Sequence, residues 1–494
     1  MSGEPSVFGA PLEALLAERA RRARASGRAE LVVVRADLGP AATDPLRLFA
    51  AAPPGEAALF LEQPREGRAL AARGAVAAVE ASGRDRFEAA SRGFRELRER
   101  IALLDDAAAG AAAPLCVGGF AFAPHSDTAT DRDPAWSAFG DLRFLLPARL
   151  AVRDGERAWV AVAARVEPGD GAPELAARRE SLRAAFEATA RELRVPVGDA
   201  DDATDRGGED ATAPAYSLRA GAGPAEYRRL VAEALDAIRK GELEKAVVAR
   251  AVEVEAARAL VAADLLAELR RTHPGCATFA VAPASGDGAP VFAGSTPELL
   301  ARVRGAAVEA AAVAGTAPRG RTRRDDAALG RALRASAKER AEHACVVREI
   351  ERALAPLCDA LERPTEPELL ALDGLQHLAT LFRGRLRAAP GAGLLAVAAA
   401  LHPTPAVAGA PREAAERWLE AREGLARGWY GGGVGALDAD GGGELHVALR
   451  CALLRERRAR LFAGAGIVEG SRPEAELRET RLKLRTLLDP LLEL

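Results

Sequence analysis

The chain has 494 residues, with 68 Lys and Arg against 71 Asp and Glu, which gives a formal net charge of -3. This length allows two to four domains or one large α/β unit. The balanced charge argues against a protein that binds nucleic acid through bulk electrostatics, so no nucleic-acid partner is expected. Hydrophobic residues make up 49% and charged residues 28%, as in ordinary globular proteins, and a chain of this size buries a core without staples.

The cysteines and the apolar segments indicate a reducing setting. The five cysteines are scattered and form no CxxC pair, so we expect neither a disulfide framework nor a cysteine zinc site. The N-terminal segment lacks a basic stretch followed by a long apolar run, as a secretory signal would have. No segment reaches the roughly 18 apolar residues that a transmembrane helix needs. We therefore expect a cytoplasmic protein with no membrane partner.

The basic residues are almost all arginine. Only four are lysine, namely Lys240, Lys245, Lys338 and Lys483. Lysine can lose its proton when its surroundings lower its pKa, whereas arginine stays protonated. A lysine kept against this bias is therefore a candidate for chemistry that arginine cannot perform, although chance retention explains any single one equally well.

Residues 1–195 alternate strand-like and helix-like patterns, and we expect an N-terminal α/β region that packs on and completes the core. Apolar runs predict strands, and helical periodicity predicts two helices. The predicted strands are Glu30–Arg35, Val117–Pro124, Phe144–Arg149 and Ala158–Ala164, and the predicted helices are Arg84–Leu103 and Glu174–Leu193.

An acidic, polar segment at 196–214 predicts a flexible linker, because it contains no large apolar side chains to bury. Residues 215–494 follow as a third region, and their alternation of elements predicts an α+β or α/β architecture. Its predicted helices are Ala225–Lys240, Ala327–Leu357 and Pro473–Leu488, its predicted strands are Lys245–Val254, Thr278–Val281, Val291–Ala293, Glu444–Leu454 and Arg460–Ala463, and a glycine turn is predicted at Gly464–Gly466.

Two predicted helices carry regularly spaced carboxylates. Glu339 and Glu342 are three residues apart, and Glu476, Glu479 and Lys483 follow the spacing i, i+3, i+7, so each set shares one helix face. Such carboxylates can hold Mg²⁺, which takes one or two of them together with waters and ligand oxygens. Taken alone, each set is more typical of a solvated helix surface with salt bridges.

Two glycine-containing segments are also candidates. In Gly294–Leu300, Pro297 and Glu298 are typical of the first turn of a helix, where proline pre-sets the backbone and a carboxylate suits the helix dipole. In Leu461–Ser471, the glycines allow the backbone to approach a ligand. The helix predicted after this second segment offers N–H groups to a carboxylate.

Two further motifs are weaker signals. His377 and His402 are isolated, and a single histidine is more often a structural residue than a ligand. The run Arg427–Gly435 is rich in glycine but matches neither GxxxxGK[ST] nor GxGxxG with flanking strand and helix, so it does not predict a nucleotide site.

Seven segments, taken together and in order, resemble the chorismate-utilising enzyme family, and within it the isochorismate synthases of the menaquinone or siderophore pathways. The resemblance covers about Ala225–Leu494 and is looser for the N-terminal VGGFAFAP and FLLPAR. It implies an α+β fold with a large two-sheet β core flanked by outer helices, and a chorismate-binding catalytic region at 215–494. The segments are KAVVAR (Lys245–Arg250), FAGSTPELL (Phe292–Leu300), VAGTAPRG (Val313–Gly320), KERAEHACVV (Lys338–Val347), LHPTPAVAG (Leu401–Gly409), RGWYGGGVG (Arg427–Gly435) and LFAGAGIVEGSRPEAELRETRLK (Leu461–Lys483).

The resemblance also implies roles for individual residues. Lys245 matches the general base that activates water, and Glu298 matches the general acid that protonates the departing C4 hydroxyl. Glu342 and Glu479 match Mg²⁺ ligands, with Glu339 and Glu476 acting through waters. The positions that match substrate-binding residues are Gly315, Thr316, His377, Arg450, Gly464 and Lys483.

This chemistry is physically consistent with the residue types. A base must be neutral and an acid protonated, so Lys245 needs a lowered pKa and Glu298 a raised one. Arg450, Lys483 and Mg²⁺ would neutralise the two carboxylates of chorismate. No organic cofactor is required.

Among family members, Lys245 favours water as the nucleophile, because anthranilate synthases typically have glutamine there. Aminodeoxychorismate synthases carry a lysine in the stretch equivalent to Ala312–Thr316, where this chain has Ala314. We therefore expect an isomerase that converts chorismate to isochorismate, without a glutaminase subunit, as a monomer or homodimer. Salicylate synthase, which adds pyruvate elimination, remains the main alternative. A catalytically inactive homologue would be expected to lack Lys245, Glu298, Glu342 or Glu479, and all four are present.

Overall fold

The computed structural model describes residues 6–39, 43–105, 113–124, 133–194, 216–220, 223–286, 288–389 and 391–493. The segment 196–214, predicted as a linker, lies outside the described residues. The helices are α1 Ala10–Ser26, α2 Leu46–Ala50, α3 Arg86–Glu99, α4 Ala172–Arg194, α5 Pro224–Arg239, α6 Ala262–Thr272, α7 Arg323–Ala335, α8 Ala337–Leu354, α9 Leu394–Leu401, α10 Arg412–Arg422 and α11 Pro473–Glu493.

The strands are β1 Glu30–Asp37, β2 Ala58–Gln63, β3 Arg68–Arg73, β4 Ala77–Ala81, β5 Ile101–Asp105, β6 Pro114–Phe120, β7 Leu142–Leu146, β8 Arg149–Asp154, β9 Arg157–Val166, β10 Tyr216–Ala220, β11 Lys245–Ala256, β12 Ala277–Ala282, β13 Val291–Thr296, β14 Leu299–Arg304, β15 Ala307–Pro318, β16 Cys358–Glu362, β17 Glu368–Ala371, β18 Leu375–Leu386, β19 Gly409–Ala410, β20 Gly433–Asp438, β21 Gly443–Val447, β22 Cys451–Arg455 and β23 Arg458–Ile467.

The described strands form two large sheets. The first has 13 strands in the order β10-β11-β23-β22-β13-β12-β2-β3-β8-β9-β1-β5, with β19 also paired to β11. The second has ten strands in the order β16-β18-β15-β14-β21-β20-β6-β7-β4, with β17 also paired to β18. Adjacent strands are antiparallel, except that β1 and β5 are parallel. With helices packed against these sheets, the α+β class and the two-sheet core predicted from the sequence are confirmed.

The main hydrophobic core contains side chains from both sheets. Phe279 and Phe292 from the first sheet and Phe120 and Phe144 from the second belong to one buried cluster. A second cluster joins the first sheet to helices that include α1, α4, α6 and α11. Among the described residues, no helix combines the length and apolarity that crossing a membrane would require.

The strands of residues 1–194 are built into both sheets. In the first sheet β2 pairs with β12, and in the second β6 pairs with β20. The close strand packing explains the glycines of the VGGFAFAP segment, because a Cβ on Gly118 would lie 2.0 Å from the carbonyl oxygen of Arg143. Strands from the N-terminal region and from residues 215–494 therefore pair within the same two sheets.

The structure corrects two predicted helices. The helix predicted over Ala327–Leu357 is two helices, because Ser336 adopts an extended conformation and its hydroxyl accepts a hydrogen bond from the Glu339 amide. This cap starts α8 just before its first acidic residues. The helix predicted over Arg84–Leu103 is too long, since α3 ends at Glu99 and β5 follows.

The strand predictions near the C-terminus also need correction. The single strand predicted over Glu444–Leu454 is β21 in the second sheet followed by β22 in the first, so the chain crosses between sheets at 448–450. The turn predicted at Gly464–Gly466 is wrong as well. These residues lie within β23 and pair with Ala249 and Val247 of β11.

Candidate active site

A cavity that opens to solvent, with about 700 Å³ of empty space, lies between the sheets and α8 and α11. All of its lining residues belong to the region 215–494. They include nine of the twelve residues assigned by resemblance, namely Lys245, Glu298, Gly315, Thr316, Glu342, His377, Arg450, Gly464 and Lys483. Glu339, Glu476 and Glu479 are not among the residues that line it. Glu339 and Glu476 share the contact with Lys338 that Glu342 makes, and Glu479 contacts Lys483 of the cavity wall.

Lys245 is the first residue of β11, and its side chain is only 1% exposed. Its Nζ lies 3.1 Å from Oε1 of Glu342 on α8, so the two form a buried ion pair. The neighbouring strand β23 has a glycine opposite this pair, because a Cβ on Gly466 would lie 2.0 Å from the same Glu342 oxygen. Gly466 therefore makes room for this ion pair.

Glu298 lies in the connection between β13 and β14, where the chain crosses from the first sheet to the second. Its sequence context predicted the first turn of a helix, and this prediction is wrong. The Glu298 amide donates to Oγ1 of Thr296, and its carbonyl oxygen accepts from the Val447 amide, which fixes the backbone. Burial raises the pKa of the Glu298 carboxyl to about 8, although Lys245, Lys483 and Arg450 act in the opposite direction. The carboxyl is therefore largely protonated at neutral pH, as a general acid must be.

Arg450 lies in another crossing between the sheets, from β21 to β22, and has a φ of 45°, in the left-handed region that non-glycine residues rarely adopt. Its Nη2 donates to Nε2 of His377 at 2.6 Å. Because arginine only donates, Nδ1 of His377 must carry the imidazole proton, and it faces Gly315 O at 3.3 Å and Thr316 Oγ1 at 3.1 Å. Burial, Arg450 and Lys483 together hold the pKa of His377 well below its usual value. His377 is thus a neutral residue that orients Arg450.

Four carboxylates lie where α8 and α11 face each other, namely Glu339 and Glu342 on α8 and Glu476 and Glu479 on α11. Lys338 lies 3.1 Å from both Glu339 and Glu476, and Lys483 lies 2.8 Å from Glu479. Lys483 also donates to the carbonyl oxygen of Gly464 at 3.0 Å, which places it at the cavity wall.

Three of the four lysines in the chain thus contact these carboxylates, namely Lys245, Lys338 and Lys483, while Lys240 is exposed at the end of α5. The sequence assigned no role to Lys338. The scarcity of lysine was the signal that could have identified it.

The carboxylate cluster has the donor chemistry that a hard divalent cation requires. Burial raises the pKa of Glu339, and the carboxylates of Glu342 and Glu479 raise it further against the effect of Lys338. Burial also raises the pKa of Glu476, whereas Lys245 and Lys338 outweigh burial at Glu342 and lower its pKa. In the described part of the chain no three His, Cys, Asp or Glu side chains are arranged to bind a metal by themselves. Mg²⁺ usually takes only one or two carboxylates, so the residues present fit an ion that substrate and water help to hold.

A family model described as "Chorismate binding enzyme" matches residues 18–492, which is nearly the whole chain. The chain belongs to the chorismate binding enzyme family. The resemblance stated from its motifs is therefore confirmed, and it extends over the N-terminal region.

Several relatives within the chorismate binding enzyme family are similar over most of this chain. It is 36% identical over 473 residues to the "Salicylate biosynthesis isochorismate synthase" of Pseudomonas aeruginosa, covering 95% of this chain and 92% of that protein. It is 30% identical to "Isochorismate synthase MenF" of Bacillus subtilis over 77% of this chain and 75% of that protein. Among solved structures, the menaquinone-specific isochorismate synthase MenF of Escherichia coli is 25% identical, with a TM-score of 0.73 over 97% of this chain and 98% of that chain.

Proposed function

We propose that this protein is an isochorismate synthase, an isomerase that adds water at C2 of chorismate while the C4 hydroxyl leaves. One observation carries the proposal: a buried amine, Lys245, and a largely protonated carboxyl, Glu298, line the same cavity. The similarity to isochorismate synthases over most of the chain supports it.

The substrate would be held by its two carboxylates. Arg450 and Lys483 both line the cavity and would form charge-assisted hydrogen bonds with them. His377, fixed as an acceptor for Arg450, would keep the guanidinium directed at the substrate. This arrangement would bring C2 and C4 of the ring to the groups that transfer protons.

The reaction would consume one water molecule at C2 and release another from C4. A water attacks C2 and gives a proton to Lys245, the ring double bond shifts, and the C4–O bond breaks as Glu298 gives its proton to the departing hydroxyl. Lys245 must be a neutral amine to accept that proton. In this structure its Nζ lies 3.1 Å from Oε1 of Glu342.

We further propose that the enzyme uses Mg²⁺. Glu342 and Glu479 would hold the ion directly, and Glu339 and Glu476 would hold it through waters. A bound Mg²⁺ would neutralise and orient one substrate carboxylate.

The decisive experiment is to incubate the purified protein with chorismate and MgCl₂ and to separate the products by chromatography. Isochorismate as the sole product is the expected result. Salicylate together with pyruvate would assign the protein as a salicylate synthase, and unchanged chorismate would refute both activities. Repeating the assay in EDTA tests the metal separately, since full turnover there would refute the Mg²⁺ proposal alone.

A further inference from the structure

The strand that carries Lys245 has an incompletely paired edge. On one side β23 pairs with β11 from Ala246 to Glu255. On the other side β19 pairs only with the first two residues of β11, and β10 pairs from Val252 onward. In the part of the chain that the structure describes, no strand pairs with this edge between those two segments.

A buried ion pair supplies hydrogen bonds to this edge between the two segments. Nη2 of Arg427 donates to the carbonyl oxygen of Val247 at 2.8 Å, and Oε1 of Glu423 accepts from the Ala249 amide at 2.7 Å. The Val247 amide is bonded separately to the carbonyl oxygen of Ala408. Buried backbone groups need such partners, and the two side chains provide them for the Val247 carbonyl and the Ala249 amide, just beyond Lys245.

The same arginine joins β11 to two other walls of the cavity. Nη1 of Arg427 donates to the carbonyl oxygen of Val407 at 2.7 Å. The backbone carbonyl oxygen of Arg427 accepts from the Tyr430 amide. Val247, Val407 and Tyr430 all line the cavity. The Arg427 and Glu423 side chains are each only 4% exposed and are joined by two hydrogen bonds of 2.6 Å, so the pair has one defined geometry.

We propose that Glu423 and Arg427 form a positioning pair for Lys245, which holds the edge of β11 and the adjoining walls at the spacing that proton transfer requires. This inference rests on the proposed function. The guanidinium suits the task because its planar fork donates in several fixed directions at once, which a lysine ammonium on a flexible stem does not reproduce.

The test is steady-state kinetics of the Arg427→Lys variant with chorismate and MgCl₂. A misplacement of about 1 Å costs on the order of a hundredfold in rate, so we expect kcat to fall by about 30- to 100-fold. KM should change by less than about threefold, because Arg450 and Lys483 come from other segments and retain their contacts. The pH at which kcat falls on the alkaline side should not move, because Glu298 is untouched.

The Arg270→Lys variant is the matched control. Arg270 pairs with Asp44 at 2.8 Å and Glu62 at 2.9 Å, away from the cavity, so the variant should lose stability but keep its kcat. The Glu423→Gln variant is the second test. Its amide oxygen can still accept from Ala249, but it leaves the buried guanidinium without a counter-ion, so we expect a smaller fall in kcat, of about tenfold.

The outcomes separate this inference from the proposed function. Wild-type protein that forms no isochorismate refutes the function itself. If the wild type is active and Arg427→Lys loses only stability, as the control does, the positioning role of the pair is refuted. If Arg427→Lys does not fold, an unchanged kcat in Glu423→Gln overturns it. If neither variant folds, the pair is needed for folding rather than positioning, and the inference also fails.

Discussion

The described residues before position 195 and those after position 215 contribute differently to the same two sheets. The N-terminal region supplies β1 to β9 but none of the residues that line the cavity. One of its buried carboxylates, Glu62, is paired with Arg153 at 2.8 Å and Arg270 at 2.9 Å. Glu298 in the C-terminal region is equally buried at 3% exposure, yet no ion pair forms with it among the described residues. The comparison teaches that a buried carboxylate such as Glu62 keeps its charge beside arginines, whereas burial without an ion pair raises the pKa of Glu298 to about 8.

The largest expected effect is on the cavity side of this comparison. The Lys245→Gln variant keeps a polar group beside Glu342 but has no amine to accept a proton. We expect kcat to fall by about a thousandfold, within the range for loss of a general base, while chorismate still binds. Initial rates and a chorismate titration by calorimetry measure the two effects. Lys240→Gln, at an exposed lysine, is the control, and near-normal turnover by Lys245→Gln would remove the assigned base.

The N-terminal region should show the opposite behaviour. Phe60 on β2 is fully buried, and the Phe60→Ala variant should lose about 3–5 kcal/mol of unfolding free energy through lost burial and a cavity. The folded fraction should keep the wild-type kcat and KM, because Phe60 lies outside the cavity. Urea unfolding and steady-state kinetics test this division. A change in KM for chorismate at full folding would show that the two regions are not separate in function.

A sharper test is the Glu298→Gln variant at different pH values. Removing the acid should lower kcat by about a hundredfold. In the wild type, the acid form is lost as pH rises through the Glu298 pKa of about 8, so kcat should fall above that pH. Rate profiles from pH 6 to 10 show whether this fall disappears in the variant. An alkaline limb that persists unchanged would mean that another group causes it.

The same variant should be more stable than the wild type. The pKa of Glu298 is about 8 in the folded protein against 4.5 ordinarily, so the folded state keeps a proton that the unfolded state releases between these values. Wild-type stability therefore falls as pH rises from about 4.5 to 8, by about 3 kcal/mol at pH 7 from this group. We expect Glu298→Gln to remove that loss. Urea unfolding of both proteins at pH 5 and pH 8 measures it, and an equal difference at the two values would contradict the assignment.

The smallest effect is expected at an exposed pair of the N-terminal region. Arg183 on α4 is paired with Glu180 at 2.6 Å and Glu187 at 3.6 Å, with 37% of its side chain exposed. Because such pairs are screened by solvent, Arg183→Ala should change the unfolding free energy by less than about 0.5 kcal/mol and leave kcat unchanged. Thermal unfolding at low and high salt checks this. A large loss would show that the N-terminal charge pairs contribute more than surface pairs usually do.

The sequence by itself determined the family, the α+β class and most of the elements. Apolar periodicity predicted β1, β9, β11 and α5 within a few residues, because one face of each is buried and the pattern is local. The resemblance carried by seven ordered motifs indicated the candidate residues, and the structure places nine of those twelve around one cavity. Their catalytic roles, the Mg²⁺ ion and the domain limits remain predictions.

Only the tertiary structure decided how the chain passes between the sheets. Glu298 and Arg450 lie in two of the crossings, at positions where the sequence suggested a helix start and the interior of a strand. A crossing is fixed by hydrogen bonds between distant segments, such as that from the Ser295 amide to the carbonyl oxygen of Arg450, and therefore has no local pattern. The contacts of Lys338 and the pairing of Arg427 with β11 are equally remote in sequence. Burial and proximity of charges, which set the protonation of Glu298, arise only when these segments pack together.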